Sequence, residues 1–232
     1  MNKELKSKAK ELNIDLTDNM LETFDKYYNR VVECNKLYNL TSITEETEFI
    51  DKHIIDSIAG EKYIDINSSV CDIGAGAGFP SIPLKIVRDD LKFTLIDSLN
   101  KRINFLNETV SILGLKDVQS YHLRAEEAGK GQFREKFDVV VNRAVAQLPT
   151  LIEYCIPLLK VGGKMIAYKA NASEEIELSK HALKELNCKI ETISEYVLPG
   201  TDYNRTLIVI KKLAPTKKMY PRDKNKPKLS PL

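Results

Sequence analysis

VCDIGAGAGFPSIPLKI, residues 70–86, is the stretch on which the reading of the fold turns. A short apolar run enters it. Three glycines, Gly74, Gly76 and Gly78, follow at alternate positions, and Asp72 stands two residues before the first. Alternating glycines let a backbone turn tightly and approach a ligand closely. The run beyond them reads as a helix, whose free N–H groups and positive dipole end favour an anionic ligand group. Pro80 suits the first turn of that helix, where no N–H is needed. A dinucleotide pyrophosphate meets these demands. The carboxylate of an amino-acid-like cofactor meets them too.

Outward from the loop, short β-rich runs alternate with helical runs. Strands are predicted at SVCDI (69–73), KFTLID (92–97), VQSYHL (118–123), FDVVVN (137–142) and KMIAYK (164–169), with helices near 80–88, 99–113 and 147–160. Continuous apolar runs such as VVV (139–141) suit a parallel sheet covered on both faces. The pattern is that of a doubly wound α/β fold. A helix over 173–187 then leads into KIETISEYVLP (189–199) and TLIVIKKL (206–213). Two strand-like runs joined only by a loop predict an antiparallel hairpin at one sheet edge. Residues 1–66 read as helical. In TDNMLETFDKYYNRVVECNKLY (17–38) the apolar residues recur at three- and four-residue spacing. A second helix is predicted over 44–60, with Ser42 and Glu45 as a capping box and Gly60 at its end. The ending, APTKKMYPRDKNKPKLSPL (214–232), is rich in proline and lysine and is expected to be extended or mobile in isolation.

Composition excludes several classes. The chain has 232 residues and a net charge of only +2, so it is not a basic coat protein as a whole. No apolar run reaches 18 residues, so no membrane helix is predicted. The charged start lacks a signal-peptide core. Cys34, Cys71, Cys155 and Cys188 are scattered, without a CxxC pair, which fits a reducing cytoplasm. His53, His122 and His181 lie far apart, so no metal site is expected. Nothing demands an oligomer, and a monomer is expected.

Three features separate the two candidate ligands. The spacing is Gly-x-Gly-x-Gly-Phe, not the dinucleotide Gly-x-Gly-x-x-Gly. Asp72 would repel a pyrophosphate but attract a cationic group. The terminal hairpin is foreign to the simplest dinucleotide-binding sheet. All three resemble class I S-adenosylmethionine-dependent methyltransferases, whose sheet has five parallel strands and a final hairpin. Asp97, at the end of the second strand, is placed to accept ribose hydroxyls of either cofactor. The segment after the fourth strand, VVVNRAVAQLP (139–149), lacks the Asn/Asp-Pro-Pro-aromatic motif of amino-group methyltransferases. Cys155, in EYCIPLL, sits at an apolar helical position and reads as core, not as a nucleophile.

More specific pieces span nearly the whole chain. They are YNLTSI (38–43), HIIDSI (53–58), CDIGAGAGFPSIPL (71–84), LIDSLNKRINFL (95–106), RAEE (124–127), NRAVAQL (142–148), LKVGGKMIAYK (159–169) and YPRDKNKPKLSPL (220–232). Together they resemble the GidB family of bacterial small-subunit ribosomal RNA methyltransferases. The resemblance implies a helical extension (1–66), a methyltransferase core (67–213) and a basic tail (214–232). It implies methyl transfer from S-adenosyl-L-methionine to N7 of a guanine in the decoding region of 16S ribosomal RNA, as free RNA or within the small subunit. It also places Gly74 and Phe79 in the cofactor loop, Ala125 and Glu126 beside the adenine, and Arg143 facing the methyl-donor pocket.

Guanine N7 carries a lone pair and no proton, so no dedicated general base is required. Positioning alone contributes about 7–11 kcal/mol in well-oriented reactions. Arg143 is expected to orient the guanine or the cofactor. Region 211–232 carries eight basic residues against one acid, Asp223, a local charge of +7. Arg222 and Tyr220 lie there, the latter a candidate for stacking on a base. Lys169 and Arg205 are further RNA candidates near the active edge. His53 and Asp56, three residues apart, line the pocket or join the N-terminal helices to the core. The alternatives are an enzyme that methylates another RNA, a protein or a small molecule, an NAD-dependent oxidoreductase, and a non-catalytic RNA-binding protein.

Overall fold

The structure, a computed structural model, describes residues 2–232. Seven strands form one sheet in the order β3-β2-β1-β4-β5-β7-β6. They are β1 (Ser69–Ile73), β2 (Lys92–Asp97), β3 (Val118–His122), β4 (Phe137–Arg143), β5 (Leu159–Lys169), β6 (Cys188–Val197) and β7 (Asn204–Lys212). The first five pair in parallel; β7 runs antiparallel between β5 and β6. This is the expected class I arrangement, five parallel strands and a hairpin. The strand after β4 begins five residues earlier than predicted, because Leu159–Gly163 continues the ladder through a register shift beside Phe137.

The helices cover both faces. On one side lie α1 (Asn2–Glu11), α2 (Asp18–Tyr38), α3 (Glu46–Phe49), a π-helical stretch Ile50–Ile55, α4 (Asp56–Ile58), α5 (Ser81–Val87) and α6 (Asn100–Ile112). On the other lie α7 (Ala125–Lys130), α8 (Leu148–Cys155), α9 (Ser173–Leu178) and α10 (Lys180–Glu185), with a last short helix, α11 (Lys226–Leu229), against α8. Alternation within β4 shows why the sheet is apolar throughout. Val139 and Val141 pack into one cluster and Val140 into the other.

Several local expectations shift. Thr17 caps α2, its Oγ1 accepting from Met20 N, and Asn39 closes that helix in the left-handed region. The cap of α3 is Glu45 itself, which accepts from Thr47 and Glu48 N–H; Ser42 takes no part. Gly60 keeps a right-handed φ of −84°, so it does not end the helix as a left-handed cap. The predicted helix over 173–187 breaks at Ser179, whose Oγ donates to Glu175 O. The N-terminal helices are not a separate unit: Phe24, Tyr27, Ile50 and Ile54 share one core with Val70, Leu95 and Ile166.

The C-terminal segment departs most from expectation. It is docked, not free. Arg134 donates to the carbonyls of Thr216 and Tyr220, both at 2.7 Å, and Tyr220 and Pro227 are buried. Core acids absorb part of its charge. Lys217 meets Glu185 and Arg222 meets Glu153, while Lys212, at the end of β7 just before the segment, is wholly buried on Glu135. Among the described residues, no helix is long and apolar enough to cross a membrane.

Candidate active site

The loop after β1 has the backbone its glycines allow. Gly74, Gly76 and Gly78 sit at φ +73°, +60° and +99°. A Cβ on Gly74 would stand 2.6 Å from Val145 Cγ2, so side-chain crowding and conformation both demand glycine there. Gly74 and Ala75 donate to Ile96 O at 2.8 and 3.2 Å. Gly76 N–H donates to Asp97 Oδ2 at 2.9 Å, and Leu99 N–H to Asp97 Oδ1 at 2.9 Å. Asp97 therefore ties the end of β2 to the loop.

A cleft of about 220 Å³ opens beside this junction. Ile73, Ile96, Leu123 and Val145 give it apolar walls. Asp97, Ser98 and Glu126 add polar groups to the lining, which also includes Ala125. Beneath the loop, Asp72 is fully buried and accepts from Ser81 Oγ through Oδ2, while Oδ1 has no partner. Burial first, with help from the Asp97 charge, pushes its carboxyl up to about 7. An unpartnered buried carboxylate oxygen, an apolar slot and a carboxylate at the end of β2 fit a purine nucleoside carrying an amino-acid chain. S-adenosylmethionine is such a molecule.

A second cleft, of about 340 Å³, lies across β4. Arg143 and Ala144 line this one, whereas Val145 and Ala146 line the first. The segment after β4 is thus a wall common to both. Ala144 holds φ +57°, unusual for a residue with a Cβ. Arg143 is a hub. It donates through Nη1 to Lys52 O (2.6 Å) and Asp56 Oδ2 (2.9 Å), and through Nη2 to His53 Nδ1 (2.8 Å). Its guanidinium also lies 4.9 Å above the Phe79 ring. Since arginine only donates, His53 Nδ1 accepts and Nε2–H faces Thr41 Oγ1 at 2.7 Å. Burial, then the Arg143 charge, pushes His53 down to about 3, so the ring is neutral. Asp56 bridges Arg143 to Arg205, whose Nε is 3.2 Å from Oδ1. His53 and Asp56 therefore do both jobs, joining the N-terminal helices to β4 and lining this cleft.

The structure gathers Gly74, Asp97, Ala125 and Glu126 around the first cleft, and Arg143, Lys169 and Arg205 around the second. Asp72, Gly76, Gly78 and Phe79 line neither. Phe79 packs with Tyr27 and Phe49 and stacks on His53 at 4.2 Å. Lys169 is engaged with Glu175 (2.6 Å) and Ala146 O (2.8 Å). Tyr220 is only 4% exposed and its hydroxyl donates to Glu185, so the ring cannot stack on a base in this arrangement. Arg222 grips Glu153 and Ser230 O, away from both clefts. Cys155 is buried, and that burial raises its thiol far above the ordinary value. It is core. Among the described residues no cluster of potential metal ligands occurs. Sequence reasoning missed Asn225 and Lys228, which line the first cleft. Nothing local marks them; only docking of the C-terminal segment brings them there.

Comparison with known proteins agrees with this fold. Residues 20–206 match the family model of GidB, rRNA small subunit methyltransferase G. A Staphylococcus epidermidis ribosomal RNA small subunit methyltransferase G is 48% identical over 98% of this chain and 97% of its own. The Acetivibrio thermocellus protein of that name is 49% identical over 94% and 91%. Among solved structures, a SAM-dependent methyltransferase from Aquifex aeolicus superposes with a TM-score of 0.56 at 17% identity, covering 75% of this chain and 96% of that one. A SAM-dependent O-methyltransferase from Thermotoga maritima gives 0.53 at 15%, covering 81% and 72%. The latter two speak for the fold alone. On the family match and the near half-identity along its length, the chain belongs to the GidB family, rRNA small subunit methyltransferase G.

Proposed function

We propose that the protein transfers a methyl group from S-adenosyl-L-methionine to N7 of a guanine in the decoding region of 16S ribosomal RNA, as a cytoplasmic monomer. One observation carries the reading. Two clefts share the wall 143–146, one with apolar sides and the Asp97 carboxylate at the end of β2, the other rimmed by cationic side chains.

When bound, S-adenosylmethionine supplies an electrophilic methyl group. Asp97 would hold the ribose hydroxyls, Ile96 and Leu123 would flank the base, and the buried Asp72 would support the glycine loop from beneath through Ser81. The second cleft would receive the guanine. Its N7 attacks with its own lone pair, so the chain needs no base. His53 is neutral, and its Nδ1 is already occupied by Arg143. Positioning is what remains. Arg143 would hold the acceptor wall in register through Lys52, His53 and Asp56. The rim of Lys52, Lys169 and Arg205, now paired with Glu48, Glu175 and Asp56, would meet the RNA backbone by exchanging those partners for phosphates.

The test is methyl transfer from labelled S-adenosylmethionine to small ribosomal subunits from cells lacking this protein, followed by identification of the nucleotide. Label on one guanine N7 is expected. No label on subunits, naked rRNA or partly assembled particles would overturn the rRNA assignment. Full turnover by Arg143→Ala would overturn the role given to that residue.

A further inference from the structure

The C-terminal segment, expected as a loose basic tail, forms one side of the cofactor cleft. Resting on the cofactor reading above, we propose that residues 222–230 are a strap whose Asn225 and Lys228 contact the adenosine part of the cofactor directly.

The strap is anchored outside the cleft. Arg222 donates from Nη2 and Nε to Glu153, at 2.6 and 2.9 Å, and from its backbone N at 2.7 Å. Glu153 is wholly buried, so this is a pair with little water around it. Thr150 Oγ1 donates to Pro227 O at 2.9 Å. Pro221 packs on Gly129, where a Cβ would stand 3.0 Å from its ring, tighter than an ordinary contact. Between the anchors the chain turns through Lys224 and Asn225, at φ +56° and +59°. Asparagine adopts this region more readily than most residues.

That turn carries Asn225 to the mouth of the cleft. Its backbone N–H donates to Glu126 Oε1 at 3.3 Å, and its Oδ1 accepts from Arg124 Nη1 at 2.8 Å. With the oxygen engaged, the Asn225 amide nitrogen offers two N–H groups that have no acceptor among the described residues. The Lys228 ammonium has none either. Both residues line the cleft with Asp97 and Val145. Adenine presents ring-nitrogen acceptors, and these are the donors they require. Strap docking and cofactor binding are therefore thermodynamically linked, each stabilising the other.

The experiment compares the full chain with the Asn225→Ala/Lys228→Ala variant, titrated calorimetrically with S-adenosylhomocysteine. The expected result is a Kd raised about tenfold, the scale of a lost hydrogen bond or two. The thermal midpoint without ligand should fall only slightly, because the substitutions remove the Arg124 bond and place alanine at φ +59° but leave the Arg222–Glu153 anchor intact. Amide hydrogen exchange over 222–230 should slow when S-adenosylhomocysteine is added to wild type. An unchanged Kd, or unchanged exchange at saturation, would overturn the proposal. So would a variant that keeps its Kd but binds rRNA more weakly, which would make the strap an RNA contact. Failure of wild type itself to bind would overturn the cofactor reading on which the proposal rests.

Discussion

Asp72→Asn is the sharpest probe of the site. The carboxyl is fully buried beneath the glycine loop, with one oxygen on Ser81 and the other unpartnered. Burial raises its pKa from 3.8 to about 7. The folded chain therefore binds this proton more tightly than the unfolded chain. Its contribution to stability falls as pH rises from 3.8 to 7 and is level above that. Three pH units correspond to about 4 kcal/mol at full extent, at 1.36 kcal/mol per unit. Between pH 5 and pH 8 the share is roughly 2–3 kcal/mol. Asparagine keeps the shape and removes the titration. The variant's advantage over wild type should then grow by that amount from pH 5 to pH 8, or about 5–10 °C in Tm for a chain of this size. Urea or thermal unfolding of both proteins without ligand, at pH 5, 6, 7 and 8, measures it. Other titrating groups are common to both and cancel in the difference. Stability curves that stay parallel across the range would refute the argument. They would mean that Asp72 is ionised and solvated, and that the loop does not bury it.

His53 should behave oppositely. Its folded pKa of about 3 lies below the unfolded 6.5, so its contribution is lost as pH falls through 6.5. Wild type should lose about 2 kcal/mol more than His53→Gln between pH 7.5 and 5, read by urea unfolding. Arg222→Ala strands the buried Glu153 carboxylate and should cost about 3–5 kcal/mol; the Arg222→Met/Glu153→Leu pair should recover most of it in the same assay. Cys155→Ala should keep its methyl-transfer rate while losing about 1 kcal/mol of stability, since the thiol fills the core and accepts a weak hydrogen bond from the buried Asn142 amide; loss of turnover in a folded variant would contradict that.

The fold was legible wherever the chemistry is local. Period-two and period-three-to-four patterns located the strands and most helices, because burial on one face leaves that rhythm in the residues. The alternating glycines and Asp97 pointed to a nucleoside-type ligand. Their signal is local too: a backbone that only glycine adopts, and a carboxylate at a strand end. The helix over 173–187 was misread as continuous because a serine hydroxyl competing for a backbone carbonyl looks like any polar helix position.

What sequence determined by itself was the doubly wound sheet, its final hairpin and the identity of the loop. Tertiary structure alone decided the rest. Arg143 reads as a lone cation after β4, yet it holds Lys52, His53 and Asp56, some ninety residues away in sequence. The tail reads as solvated because its lysines are countable and its partners are not. Glu153, Glu135 and Glu185 become its counter-charges only when α8, the loop before β4 and α10 converge on it. Charge pairing across long separations leaves no period in a sequence. It is specified by packing, so Asn225 and Lys228 reach the first cleft only in the folded chain.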